Sequence, residues 1–280
     1  MQIFVVLYIL FLSFSHGSIF ASDGGDAYTE IDPTSTPMVT PTIVVNDDFQ
    51  KYLNDYLYQK DLYQKAYLKY IEKKQVHTKY ATLTTKQDKI DATNNYLVTR
   101  NNMQRSYLVA LRYLLNKYKS IDPTETEKLQ IDIQKWESWF AEQNTVVTAI
   151  NNEDDFKKYS LDYKIKYITI QQLIYTALTR NQVNQKKQTL NTINTLMTDI
   201  QNSPVIKPES QEWIGPLTVK NDLVNTSLTT AMDTTNTKQY STNFSNFYPD
   251  AQKEINKVNS YLFDMVSSLK SVVIKFKTTE

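Results

Sequence analysis

Phe49, Tyr56, Tyr63 and Tyr70 recur every seven residues in FQKYLNDYLYQKDLYQKAYLKYIEKKQVHTKY, and His77 takes the next step. A seven-residue period of large rings puts one stripe along one side of a long helix, and such a stripe is stable only against another helix. An all-α architecture follows. Turn chemistry points the same way, because 280 residues hold only four glycines and eight prolines, too few for an all-β or α/β fold. The chain has no cysteine, so disulfides and thiolate chemistry are excluded and packing must hold the fold. The expectation is an elongated antiparallel helical bundle or coiled coil of about five to six helices.

Ahead of the stripe, residues 3–14 form the apolar run IFVVLYILFLSF. This is signal-peptide length, too short to span a bilayer comfortably. Residues 1–21 therefore read as a leader cleaved after Ala21, with cleavage after Gly17 as the alternative. Met1 and Gln2 supply no basic side chain, which leaves an uncleaved membrane anchor open as the second reading. Residues 22–45, rich in Thr and Pro and without a base, cannot bury enough apolar surface to offset their ordering entropy and read as a disordered tether. Either reading of the leader implies an extracytoplasmic protein, secreted or held at the cell surface.

Residues 46–202 read as a long-helix bundle. The first helix starts at Asn46–Asp48 and runs to about Lys79, roughly 50 Å. The chain turns around Leu83, and Thr85 with Asp88 is the expected cap of a second helix carrying Leu97, Gln104, Leu111 and Tyr118 at the same period. Folding the pair back on itself sets Tyr63 near Gln104, Tyr56 near Leu111 and Phe49 near Tyr118. In that register Asn101 and Gln104 either bond buried tyrosine hydroxyls or sit at the helix edge in water. Asp122, Pro123 and Glu125 form the sharpest boundary, with Asp at the cap, Pro at the first helical position and Glu at the third, able to reach back. A third helix follows to about Ile150, and Asn152–Asp155 caps a fourth that runs to about Asn202. Its apolar stripe lapses between Arg180 and Thr189, where a kink, a break or a solvent-spanning segment is expected. Residues 203–280 supply further helices packing on the bundle. The Thr- and Asn-rich stretch after Val219 is the weakest of these, and the row Ile255, Val258, Leu262, Met265, Leu269, Val272 and Phe276 is the cleanest.

Chemistry-bearing patterns are scarce. Past the leader His77 is the sole histidine, so zinc sites of ordinary ligand sets and His-based nucleophilic or acid–base machinery have no residues to use. Gly215 is the sole glycine beyond the tether, which excludes phosphate-cradling loops. Paired acids such as Asp154–Asp155 lie at helix starts, where capping explains them. These features indicate no enzyme and no cofactor or metal. Six acids and no Lys or Arg precede Phe49, so the rest holds 31 bases against 24 acids, with no block of five like charges. A nucleic-acid footprint is not indicated.

Tyr56–Gln59, Tyr63–Tyr70, Tyr80–Thr84, Arg100, Tyr107–Leu108 and Ala110–Leu111 together resemble a pattern in exported coiled-coil proteins of ultrasmall candidate-phylum bacteria. The resemblance runs from Phe49 into the fourth helix and leaves the Thr- and Asn-rich carboxyl third unmatched. It implies a bacterial envelope setting and no assigned activity. The expected function is a non-enzymatic, secreted or envelope-associated bundle acting on a protein or envelope partner, with oligomerisation open. A membrane-active, pore-forming-like protein and a cell-wall glycan binder are the alternatives. Contact with a membrane is otherwise expected only through an uncleaved leader.

Overall fold

The computed structural model describes residues 48–202, 211–238 and 247–277, and Val45–Glu280 forms one compact unit. The leader and tether, the Pro204–Pro208 segment and Phe244 lie outside the described residues. Among the described residues six α-helices follow one another and there is no strand. They are α1 (Asp48–Tyr80), α2 (Leu83–Asn116), α3 (Pro123–Thr148), α4 (Glu153–Asn202), α5 (Gln211–Lys238) and α6 (Phe247–Lys277), with a 3₁₀ turn at Lys119–Ile121. The fold is an all-α antiparallel helical bundle.

A two-residue connection, Ala81–Thr82, reverses the chain between α1 and α2. Ala81 takes a left-handed backbone with φ 42°, and its N–H donates to the His77 carbonyl at 2.8 Å. Thr82 caps α2. Its hydroxyl accepts from the Thr85 N–H at 3.2 Å, and the Thr85 hydroxyl oxygen accepts from the Thr82 N–H at 3.0 Å. The cap expected at Thr85 therefore stands three residues earlier, since Thr82 and Thr85 satisfy each other's orphan amides once the chain has reversed. Asp88 instead pairs with Lys73 across the hairpin at 2.6 Å.

Reversal at Ala81–Thr82 rather than around Leu83 moves α2 along α1. Tyr56 meets Tyr107, with ring centres 5.3 Å apart. Tyr63 and Tyr70 both stack on Tyr96, at 5.5 and 5.3 Å, and Tyr52 stacks on Tyr113 at 4.1 Å. The pairings of Tyr56 with Leu111 and of Tyr63 with Gln104 are thus replaced by tyrosine pairs nearer the hairpin, by four residues of α2 for Tyr56 and by eight for Tyr63. Aromatic pairs of this geometry add about 0.5–1.5 kcal/mol beyond the area they bury.

Helix α2 is the centre of the first bundle, packed by α1, α3 and α4. In its second half apolar and polar side chains alike are enclosed, from Arg100 and Asn101 to Leu114 and Leu115. Arg112 of α2 grips Glu137 of α3 through two bonds of 2.9 and 3.2 Å. Ile133, Phe140 and Val147 are the fully buried row of α3.

Helix α4 is 50 residues long, about 75 Å at 1.5 Å per residue, and it is unbroken. The expected kink or break between Arg180 and Thr189 is absent because the apolar row does not lapse there. It changes faces. In the first half Phe156, Tyr159, Tyr163, Ile170 and Ile174 are buried, and in the second half Val183, Leu190, Ile193 and Met197. At 3.6 residues per turn these two sets lie on opposite sides of the helix. They overlap at Thr176–Thr179 and Asn181–Asn184, which are buried on every side, so the first half of the polar run that looked solvent-spanning lies in the most enclosed part of the helix, while Gln188 and Thr189 at its end are exposed.

Helices α5 and α6 pack on each other and on the second half of α4. Leu217, Val224, Leu228 and Ala231 of α5 close on Ala251, Ile255, Val258, Leu262, Met265 and Leu269 of α6 and on the α4 row. The Thr- and Asn-rich stretch is helical to Lys238, since four buried apolar residues on one face outweigh weak intrinsic propensity. The described residues thus form a four-helix bundle followed by a three-helix bundle, with α4 common to both.

Candidate functional site

The predicted seam residues divide between two surroundings. Tyr56, Leu97, Gln104, Leu111 and Tyr118 are buried, whereas Phe49, Tyr63 and Tyr70 are half-buried at the edge of α1. An amide of α2 does bond a tyrosine hydroxyl, yet the tyrosine belongs to α4 and not to α1. The Asn101 amide donates to the Tyr159 hydroxyl at 3.2 Å, while the side-chain oxygen of Gln104 is buried without a partner. Sequence alone pointed to α1 because α4 is separated from α2 by a whole helix. The α1 stripe packs ring on ring instead.

Arg100 is the residue that periodicity missed. It lies in one row with Tyr96, Met103 and Tyr107, at steps of four, three and four, so its position in the core row was visible in the sequence. The guanidinium carbon lies 3.5 Å from the centre of the Tyr163 ring and 5.8 Å from that of Tyr159. The groups that bear on its charge are the phenols of Tyr163, Tyr159 and Tyr96, and its Nε has no hydrogen-bond partner. This is a buried cation held by aromatic faces. The same enclosure keeps the phenols neutral, as burial raises Tyr163 to about 12 despite the opposing Arg100 charge and pushes Tyr167 and Tyr107 well above the ordinary phenol range.

A second polar region girdles the middle of α4, where the two bundles meet. Arg180 reaches the carboxylate of Asp122 and lies 3.8 Å from that of Glu125, so the cap of α3 is tied to the joint. Asp122 still caps α3, accepting from the Glu125 N–H at 3.4 Å with Pro123 at the first position. Glu125 does not reach back as expected, because its carboxylate accepts from Lys128 at 2.6 Å. Gln182 donates to the Tyr248 hydroxyl at 3.4 Å, and the Tyr248 ring stacks on Tyr175 at 4.9 Å. Oxygens of Thr126, Thr179, Asn181, Gln182 and Asn184 are buried here without a partner. Beside the collar, Tyr118, Gln185, Thr189, Thr192, Leu196 and Val266 line a cleft of about 380 Å³ between α4 and α6.

His77 closes the hairpin end, with Nδ1 3.1 Å from the Thr85 hydroxyl oxygen. Among the described residues no three His, Asp or Glu side chains are grouped as a metal site would need, and no helix is long and apolar enough to cross a membrane. The outer surface carries Leu161, Ile165 and Ile168 on α4 and Phe263, Val266 and Ile274 on α6, all exposed. The chain matches no family model, no curated protein and no solved structure.

Proposed function

We propose that the protein is a non-enzymatic helical scaffold on the extracytoplasmic side of a cell, secreted or held at the surface, working through contacts with other envelope components. The observation that carries this reading is the two-sidedness of α4. Its first half buries one apolar row in the core and holds out a second row, Leu161, Ile165 and Ile168, on the opposite side. A helix apolar on both sides is suited to lie between partners. The aromatic and charged groups with chemical potential, Arg100 and the tyrosines around it, are engaged with one another in the interior. A photo-reactive amino acid at Ile165 in the native envelope tests the proposal. Discrete covalent adducts are expected; release of dye from lipid vesicles by the purified protein, with no adduct, supports the membrane-active alternative and contradicts the scaffold.

The cleft beside Tyr118 favours a second reading. Its amides and hydroxyls are neutral hydrogen-bonding groups next to apolar walls, chemistry that suits a glycan chain. Retention on purified cell-wall glycan, lost in Gln185→Ala, is the outcome this reading expects, and equal retention of both proteins contradicts it.

A further inference from the structure

The outward row of α4 is one end of a longer seam. From Leu161 the steps of three and four pass through Ile165, Ile168, Gln172, Thr176, Thr179, Val183, Lys186, Leu190, Ile193 and Met197. In its second half this seam is covered by α5 and α6, and the cover reaches as far as Tyr248, stacked on Tyr175. Beyond that point Leu161, Ile165 and Ile168 are 66, 69 and 38 % exposed. The row that holds α5 and α6 inside the chain therefore continues, exposed, past Tyr248.

We propose that a second copy of this chain covers the open end, with the two α4 helices antiparallel and Leu161, Ile165 and Ile168 of each copy against those of the other. The inference rests on the scaffold reading and names its partner. Three observations favour a copy of the same chain. The open row continues an interface the chain already makes with its own helices, so its spacing fits another helix. Charge is balanced along this stretch, with Glu153, Asp154, Asp155 and Asp162 against Lys157, Lys158, Lys164 and Lys166. Three of the lysines pair within the helix, with Asp154, Asp155 and Asp162. Such a face neither repels its own copy nor attracts a partner of one strong sign. A short row also meets itself completely only about a two-fold axis. A parallel pair is excluded because it would set the two α5–α6 hairpins in the same space, whereas an antiparallel pair directs them to opposite ends.

The absence of cysteine gives a direct test on the full chain. Sedimentation of the unaltered protein at micromolar concentration is expected to give a dimer, and Ile165→Asp is expected to halve the mass with unchanged helical circular dichroism. Ile165→Cys is expected to form a covalent dimer on mild oxidation much faster than Thr229→Cys, an exposed position on α5. A monomer at all concentrations, a dimer indifferent to Ile165→Asp, or equal cross-linking at both positions overturns the proposal. A monomeric chain that still forms envelope adducts contradicts self-pairing while leaving the scaffold reading standing.

Discussion

The guanidinium carbon of Arg100 lies 3.5 Å from the centre of the Tyr163 ring, on a residue only 6 % exposed. The core of the first bundle is built around this contact between α2 and α4. Among the described residues no carboxylate bears on Arg100, and its charge is met by the ring faces of Tyr163 and Tyr159 and by one long hydrogen bond of 3.5 Å to the Tyr159 hydroxyl. Cation–π attraction of about 2 kcal/mol in a desolvated setting offsets part of the cost of burying the ion.

Arg100→Met is therefore expected to leave the melting temperature unchanged or to raise it, by the equivalent of about 1–3 kcal/mol, since a similar volume replaces a buried charge. Tyr163→Leu removes the ring that balances the cation. Its cost is expected to be larger in the natural chain than in Arg100→Met, with a coupling of about 1–2 kcal/mol. Equal costs in the two backgrounds would show that the contact is incidental.

Alkaline pH supplies a second test. Burial raises Tyr163 and Tyr248 to about 12 from the ordinary 10 and raises Tyr107 and Tyr167 well above it. The folded chain thus holds these phenolic protons more tightly than the unfolded chain. Their contribution to stability is complete below pH 10 and is lost as pH rises towards and through 12. Helical circular dichroism and phenolate absorbance are expected to change together across this interval. Full phenolate absorbance from a chain that keeps its helices would contradict the enclosure of these hydroxyls.

The collar around α4 predicts gains from removing polar atoms. Thr179 is completely buried and its hydroxyl has no partner. Thr179→Val keeps the shape and removes that unmet hydrogen-bonding group, so a stability gain of about 1 kcal/mol is expected in urea unfolding. A loss of similar size would mean that the hydroxyl has a partner in solution.

At the α1–α2 connection, Ala81 holds a left-handed backbone that glycine adopts without strain. Ala81→Gly is expected to raise stability by about 0.5 kcal/mol after the greater flexibility of the unfolded chain is counted, and Ala81→Val to lower it by about 1 kcal/mol. The opposite order in thermal melts would contradict this turn.

Much of this fold was legible in the sequence, because helices announce themselves locally. The seven-residue stripe, the Asp122–Pro123 boundary and the even row of α6 each depend on residues within a few turns of one another. What depends on distant contacts was not legible. The register of α1 on α2 hinged on whether reversal falls at Thr82 or around Leu83, a shift that changes the partners of Tyr56 and Tyr63. The polar run after Arg180 resembled a break because one face was followed, when the apolar row had crossed to the other side of α4. The partner of Asn101 lies on Tyr159, which only the packing of α4 against α2 brings near. Arg100 stood in an apolar row, where a lone cation gives no pattern of its own.

The unbroken α4 is the feature on which the joining of the two bundles depends. Asp154 and Asp199 lie near its two ends and both are exposed, so spin labels can be attached there in a chain that has no other cysteine. A straight helix separates the two positions by about 68 Å. Electron–electron double resonance is expected to give one narrow distance distribution close to that value. A broad distribution, or one centred well below it, would mean that α4 bends or breaks at the collar and that the bundles are not joined by one continuous helix.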